Sequence, residues 1–153
     1  MKNFLGNETV GTLFRVVLAG ILLYAGGIKL FEPHGARDAI LAYRIFSPSI
    51  APVLGYALPL LEIAIGIFLL VGLFVRISAI ITAVLMLAFV AGIASVWVRG
   101  YSIDCGCFGG GGDISPEGRA SRYTQEIIRD FAFTLMALWL ARWPRTKYSL
   151  EHN

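Results

Sequence analysis

The sequence predicts an all-α fold, a bundle of four transmembrane helices with one short interfacial helix in the first outer loop. Three observations carry this reading. Of 153 residues, 57% are hydrophobic and 15% charged, with a mean hydropathy of +0.72, against about 45–50% and about 25% in soluble domains. The apolar residues gather in stretches close to the about 20 residues that a helix needs to cross hydrocarbon. None of these stretches alternates with period two, and backbone polar groups inside a bilayer must pair within the segment, which leaves helices. The same composition excludes a disordered chain. The length is that of a single domain, residues 1–153.

The first span runs from Gly11 to Phe31, with charges only near its ends, at Arg15 and Lys29. Both are placed to snorkel toward headgroups along their apolar stems. It is expected to be a retained span and not a signal peptide: Lys2 precedes an apolar region, but Asn7 and Glu8 interrupt it and no small-residue cleavage site follows. In the next loop Ala39, Ile40, Tyr43 and Phe46 recur at helical spacing opposite Arg37, Asp38 and Arg44. Pro33 suits a first turn, so a short helix in the interface is expected, ended by Ser47 and Pro48. Span two, Val53 to Val75, carries one ionisable residue, Glu62, and is closed by Arg76. A tight turn around Phe74 to Ile77 leads into span three, Ile77 to Val98, which holds no charge and ends at Arg99. Loop 99–122 contains the glycine run Gly109 to Gly112, which is flexible or tightly turned. Span four, Tyr123 to Trp143, is the weakest, because Glu126, Arg129 and Asp130 occupy its first two turns.

Four spans put both termini on one side and the loops 32–52 and 99–122 on the other. Lys and Arg divide almost evenly between the two sides, and the compact cluster Arg142, Arg145 and Lys147 points to cytoplasmic termini in a cell membrane. Trp97, Trp139 and Trp143, with Tyr101 and Tyr123, fall near span ends, where amphipathic rings gather. Gly20, Gly26, Gly27, Gly66 and Gly72 let helices approach closely. His34 and His152 read as solvated. The partner implied throughout is lipid, and no nucleic acid.

The chain has two cysteines, Cys105 and Cys107, within Asp104-Cys105-Gly106-Cys107-Phe108-Gly109. A disulfide across so short a loop removes little chain entropy, so a purely structural clasp is a weak reading. Metal binding needs about four ligands, and the loop offers two thiolates with Asp104 and Asp113 and no nearby histidine, so no metal is expected. Residues two apart on an extended segment point the same way, and Gly106 lets the backbone bend until the sulfurs meet. That favours a redox-active dithiol. Arg99, Arg119 and Arg122 are placed to lower a thiol pKa and Asp104 to oppose them.

A second constellation lies beneath this loop. Counted inward from the loop side, Lys29, Glu62, Arg129 and Asp130 all fall in the same half of the membrane, the half nearest the cysteines. Ionisable groups there must face the bundle interior and one another, with Glu62 paired to Lys29 or Arg129. Such a cluster either fixes helix register or forms a polar pocket that handles protons or holds a quinone headgroup.

These pieces resemble, in order and spacing, the DoxX-like superfamily of four-span proteins and more closely its MauE branch, named for methylamine utilisation. The resemblance rests on Ala25-Gly26-Gly27-Ile28-Lys29-Leu30, Ala42-Tyr43-Arg44, Leu58-Pro59-Leu60-Leu61-Glu62, Arg99-Gly100 with the cysteine motif, and Arg129-Asp130. It implies a membrane partner in extracytoplasmic thiol–disulfide metabolism, linked in MauE to disulfide formation in methylamine dehydrogenase beside a thioredoxin-like protein. It also implies cytoplasmic termini. The expectation is therefore a membrane thiol–disulfide protein whose Cys105 and Cys107 exchange with a thioredoxin-like or other redox protein and pass electrons to a quinone or a protein subunit. Two other classes stand beside it: a non-catalytic scaffold for a redox enzyme, and a bundle that binds a lipid or small solute at Lys29, Glu62 and Arg129.

Overall fold

The computed structural model describes residues 6–150. Lys2 and His152, named above, lie outside them. The described chain is mostly helical: α1 Glu8–Phe31, α2 Pro33–Ala42, α3 Ala51–Val71, α4 Val75–Val98 and α5 Arg119–Arg142. Two residues in each of β1 Ile103–Asp104 and β2 Gly112–Asp113 pair antiparallel, Ile103 opposite Asp113 and Asp104 opposite Gly112. Three helices, α1, α3 and α4, are long and apolar enough to cross a membrane. α5 matches α1 in length, but Arg119, Arg122, Glu126, Arg129 and Asp130 fall in its first half.

The boundaries follow local chemistry. Asn7 caps α1 by accepting the Thr9 N–H at 2.9 Å, satisfying one of the orphan donors of a first turn. Pro33 opens α2, where a missing N–H costs nothing, and Pro52 does the same for α3. α2 stops at Ala42, earlier than the Ser47-Pro48 stop read from the sequence, because Arg44 takes a left-handed backbone and its guanidinium stacks 4.3 Å from the Tyr101 ring. α3 ends at a left-handed Gly72, so the turn to α4 comes at 72–74, ahead of the expected 74–77.

The helices pack as two close pairs, α1 on α3 and α4 on α5. The first depends on Gly26: a Cβ there would lie 2.8 Å from the Pro59 carbonyl oxygen and 3.2 Å from Glu62 Cβ. That approach sets Lys29, one turn further along α1, against α3. The shared core includes Leu18, Leu22, Leu69, Ala79, Met86 and Leu140. α3 and α4 touch far less, and a cleft separates them toward the loop end. Large apolar side chains remain exposed on α1, α3, α4 and along the later turns of α5, where Ile128, Phe131, Leu135 and Leu138 form one outward face.

At the terminal end the chain folds back across the bundle. Arg15 does not snorkel: it is 3% exposed, and its guanidinium donates to the carbonyls of Lys147 and Tyr148 at 3.2 and 3.3 Å. Trp139 is likewise drawn inward, edge-on to Phe14 at 5.2 Å. At the other end residues 99–118 fold down onto the bundle, so the glycine run forms the turn of a small hairpin, an element absent from the all-α reading.

Candidate functional site

Tyr123, read from the sequence as interfacial, is fully buried and anchors the loop. Its hydroxyl accepts the Ile103 N–H at 2.9 Å and donates to the Tyr101 carbonyl at 3.0 Å. Arg119 donates to the Gly100 carbonyl at 2.7 Å and to Ser102 at 3.1 Å, and Arg99 to the Tyr43 carbonyl at 2.6 Å. Both guanidinium groups are thus engaged in holding backbone carbonyls. Arg122 is exposed. Asp104 accepts the Gly106 N–H at 3.0 Å, folding the Cys-Gly-Cys segment on itself. Gly106 has φ +69°, and a Cβ there would lie 2.5 Å from Ala39 Cβ, so the position needs glycine twice over.

This folding turns both sulfurs inward. Cys105 and Cys107 are free thiols, 8% and 5% exposed, packed with Ala42, Ile93, Val96, Ile103 and Tyr123. The two side chains interact, so the pair is close enough to communicate, but no visiting protein reaches either sulfur while the loop is seated. Interaction with Cys105, reinforced by burial and by the charge of Asp130 against an opposing Lys29, holds the Cys107 thiol well above the usual thiol range. Tyr43, whose hydroxyl donates to the Cys105 carbonyl at 3.0 Å, is held neutral mainly by burial.

On its other side Cys105 lies within hydrogen-bonding reach of Glu126, in the second turn of α5. Sequence reasoning counted Glu126 only as a charge weakening a span. The missed signal is its register: Tyr123, Glu126 and Asp130 share one helix face, and Tyr123 is the residue that pins the cysteine loop.

Beneath the loop Lys29, Glu62, Arg129 and Asp130 form two ion pairs. Lys29 Nζ donates to both oxygens of Glu62 at 2.7 and 3.1 Å, with the two side chains 5% and 1% exposed. Lys29, not Arg129, is the partner of Glu62. Arg129 instead donates to its neighbour Asp130 at 2.9 Å and lies 4.5 Å from the Phe108 ring centre. One Asp130 oxygen and one terminal nitrogen of Arg129 are buried without a hydrogen-bond partner among the described residues. Glu62, Asp130 and Cys107 together line a cavity of about 10 Å³, roughly the space of one water. Thiols, ion pair and second carboxylate thus form one connected, water-poor cluster at the loop end.

The sequence model described as methylamine utilisation protein MauE matches residues 7–142. The chain belongs to the MauE family. A curated relative, methylamine utilization protein MauE of Paracoccus denitrificans, is 30% identical over 112 residues, covering 72% of this chain and 60% of the relative. The matched part of this MauE-family chain therefore spans less than two thirds of that protein. No solved structure matches it.

Proposed function

We propose that this MauE-family protein is a four-span membrane component of thiol–disulfide exchange, in which Cys105 and Cys107 cycle between dithiol and disulfide. The relatives named for methylamine utilisation make an accessory role in that process the natural setting. α5 serves as the fourth span: its outward face of Ile128, Phe131, Leu135 and Leu138 suits lipid, while its charges turn toward the loop and the interior. With the termini in the cytoplasm, the cysteine loop lies on the extracytoplasmic side of the cell membrane.

The chemistry runs through named groups. A dithiol on a thioredoxin-like partner opens the Cys105–Cys107 disulfide through a mixed disulfide and leaves oxidised, carrying the sulfur–sulfur bond away. The reduced pair is then reoxidised by a quinone or a protein acceptor, losing two electrons and two protons. Glu126 accepts the Cys105 proton, and Cys107 keeps its own until the bond forms. Because both sulfurs are covered, exchange requires the glycine hairpin to lift. The observation that carries this reading is the contact of Cys107 with Cys105 beside the Glu126 carboxylate. Burial of the thiols also favours a second reading, a scaffold whose loop matters and whose cysteines do not.

Alkylation of intact cells with a bulky, impermeant maleimide, before and after reduction, tests it. The expected result is two tags per chain only after reduction, none in a Cys105→Ser, Cys107→Ser double variant, and a trapped mixed disulfide in Cys107→Ser alone. Equal tagging with and without reduction, with no trapped species, overturns the exchange mechanism.

A further inference from the structure

The loop-end cleft between α3 and α4 encloses about 470 Å³, within the range of pockets that hold small molecules. Its walls are apolar: Ile40, Phe46, Leu54, Leu58, Ala88 and Phe89 among them. On α4 the lining runs from Leu85 to Gly92, roughly 9 to 20 Å from that helix's loop end at about 1.5 Å per residue. This is hydrocarbon depth, so an occupant must come from the lipid phase. Tyr43, Leu54, Leu58 and Phe89 are shared with a narrower inner pocket of about 40 Å³ that Lys29 and Cys105 also line. Those side chains stand between the lipid-facing cleft and a pocket lined by a cysteine and a buried cation.

We propose that this cleft binds a quinone with a hydrocarbon tail, the ring entering past Tyr43 and Phe89 toward Lys29 and Cys105 and the tail lying between α3 and α4. The inference rests on the dithiol reading above and names its electron acceptor. A plain acyl chain would use only the apolar walls, whereas the inner end supplies groups that a ring carbonyl needs. Lys29 has three N–H donors, and among the described residues two hydrogen bonds go to Glu62, leaving the third for a ring oxygen. Its positive charge favours the electron-rich reduced ring. The Tyr43 hydroxyl, already donating to the Cys105 carbonyl, retains lone pairs to accept from a quinol hydroxyl. The step balances: both S–H bonds break, one S–S bond forms, and two electrons and two protons convert the two ring carbonyls to hydroxyls.

Decylubiquinone is titrated into the reduced full-length protein in phosphatidylcholine nanodiscs, with quinone absorbance and free thiols followed together. The expected result is saturable reduction yielding one quinol per disulfide. Ala88→Trp and Ala91→Phe, two exposed wall positions filled independently, each raise the half-saturating concentration at least tenfold. Circular dichroism identifies a variant that fails to fold, and the other then carries the test. Saturation unmoved by a folded filler, or competition by decylbenzene equal to that of decylubiquinone, overturns the site. If glutathione disulfide oxidises the pair and decylubiquinone does not, the quinone is rejected while the dithiol reading stands. If neither oxidises it, the dithiol reading falls and this inference with it.

Discussion

Replacing Lys29 with methionine keeps an apolar stem of similar length and strips the charge from the α1–α3 contact. Glu62, 1% exposed, then loses the donor of both its hydrogen bonds. Removing one partner of a buried pair costs about 3–5 kcal/mol when the remaining charge stays ionised. The alternative is proton uptake, which at pH 7 costs about 3.7 kcal/mol for a carboxyl of ordinary pKa about 4.3, at about 1.4 kcal/mol per unit. Both routes give a loss near 3–4 kcal/mol at pH 7. They part on acidification: by the second, the variant's folded form holds a proton that the unfolded chain does not, so its stability rises as pH falls. At pH 5 the uptake costs only about 1 kcal/mol, and the variant recovers most of the loss. The assay is unfolding in mixed micelles at pH 7 and pH 5 for the parent, Lys29→Met, and Lys29→Met with Glu62→Leu. The double variant regains most of the stability, because an apolar replacement of a buried pair is often neutral. Full stability of Lys29→Met at pH 7, or a double variant no better than the single, refutes the burial and pairing argued here.

Gly106→Ala forces a side chain into a left-handed backbone, worth about 1–2 kcal/mol, and drives its Cβ against Ala39. The loop sits less firmly, so maleimide reaches the reduced thiols faster, and adding Ala39→Gly restores part of the protection; an unchanged rate would mean the hairpin does not guard the sulfurs. At Cys107, the rate of alkylation in the folded protein has its midpoint at higher pH than in the unfolded chain, and Cys105→Ala moves that midpoint back down, since the interaction with Cys105 is its first cause. The same raised thiol makes stability fall as pH climbs above the ordinary thiol range, because the folded form keeps a proton that the unfolded chain releases. Coincident alkylation midpoints for folded and unfolded chains would contradict the seated geometry.

Membrane helices write their length and apolarity directly into sequence, which is why α1, α3 and α4 were legible to within a few residues. The partner of Glu62 was narrowed only to Lys29 or Arg129, since charges in the same half of a membrane have few partners to choose from. Charges near the ends were not. Arg15 looked like a snorkelling residue because nothing local announces that Lys147 and Tyr148, more than 130 residues later, return their carbonyls to it. Arg99 and Arg119 looked like thiol neighbours because sequence proximity in a loop says little about direction; the backbone carbonyls of Tyr43 and Gly100 captured them. The seating of the cysteines depends on the Tyr123 hydroxyl and on Ala39 against Gly106, contacts between segments that share no periodicity. Glu126 was hidden by category, read as a defect in a span instead of as the third member of a helix face.

The ion pair joining α1 to α3 also bears on how the protein is made. Lys29 and Glu62 are 33 residues apart in the chain. Lys29 sits in the last turn of α1, within reach of the headgroups, whereas Glu62 lies midway along α3, and an ionised group at the centre of a span costs about 2.5–3.5 kcal/mol when that helix enters lipid by itself. α3 is not a self-sufficient insertion unit. It gains from meeting α1 before it leaves the insertion machinery, which makes neutralisation of Glu62 a checkpoint in biogenesis, before any cysteine has reached its oxidant.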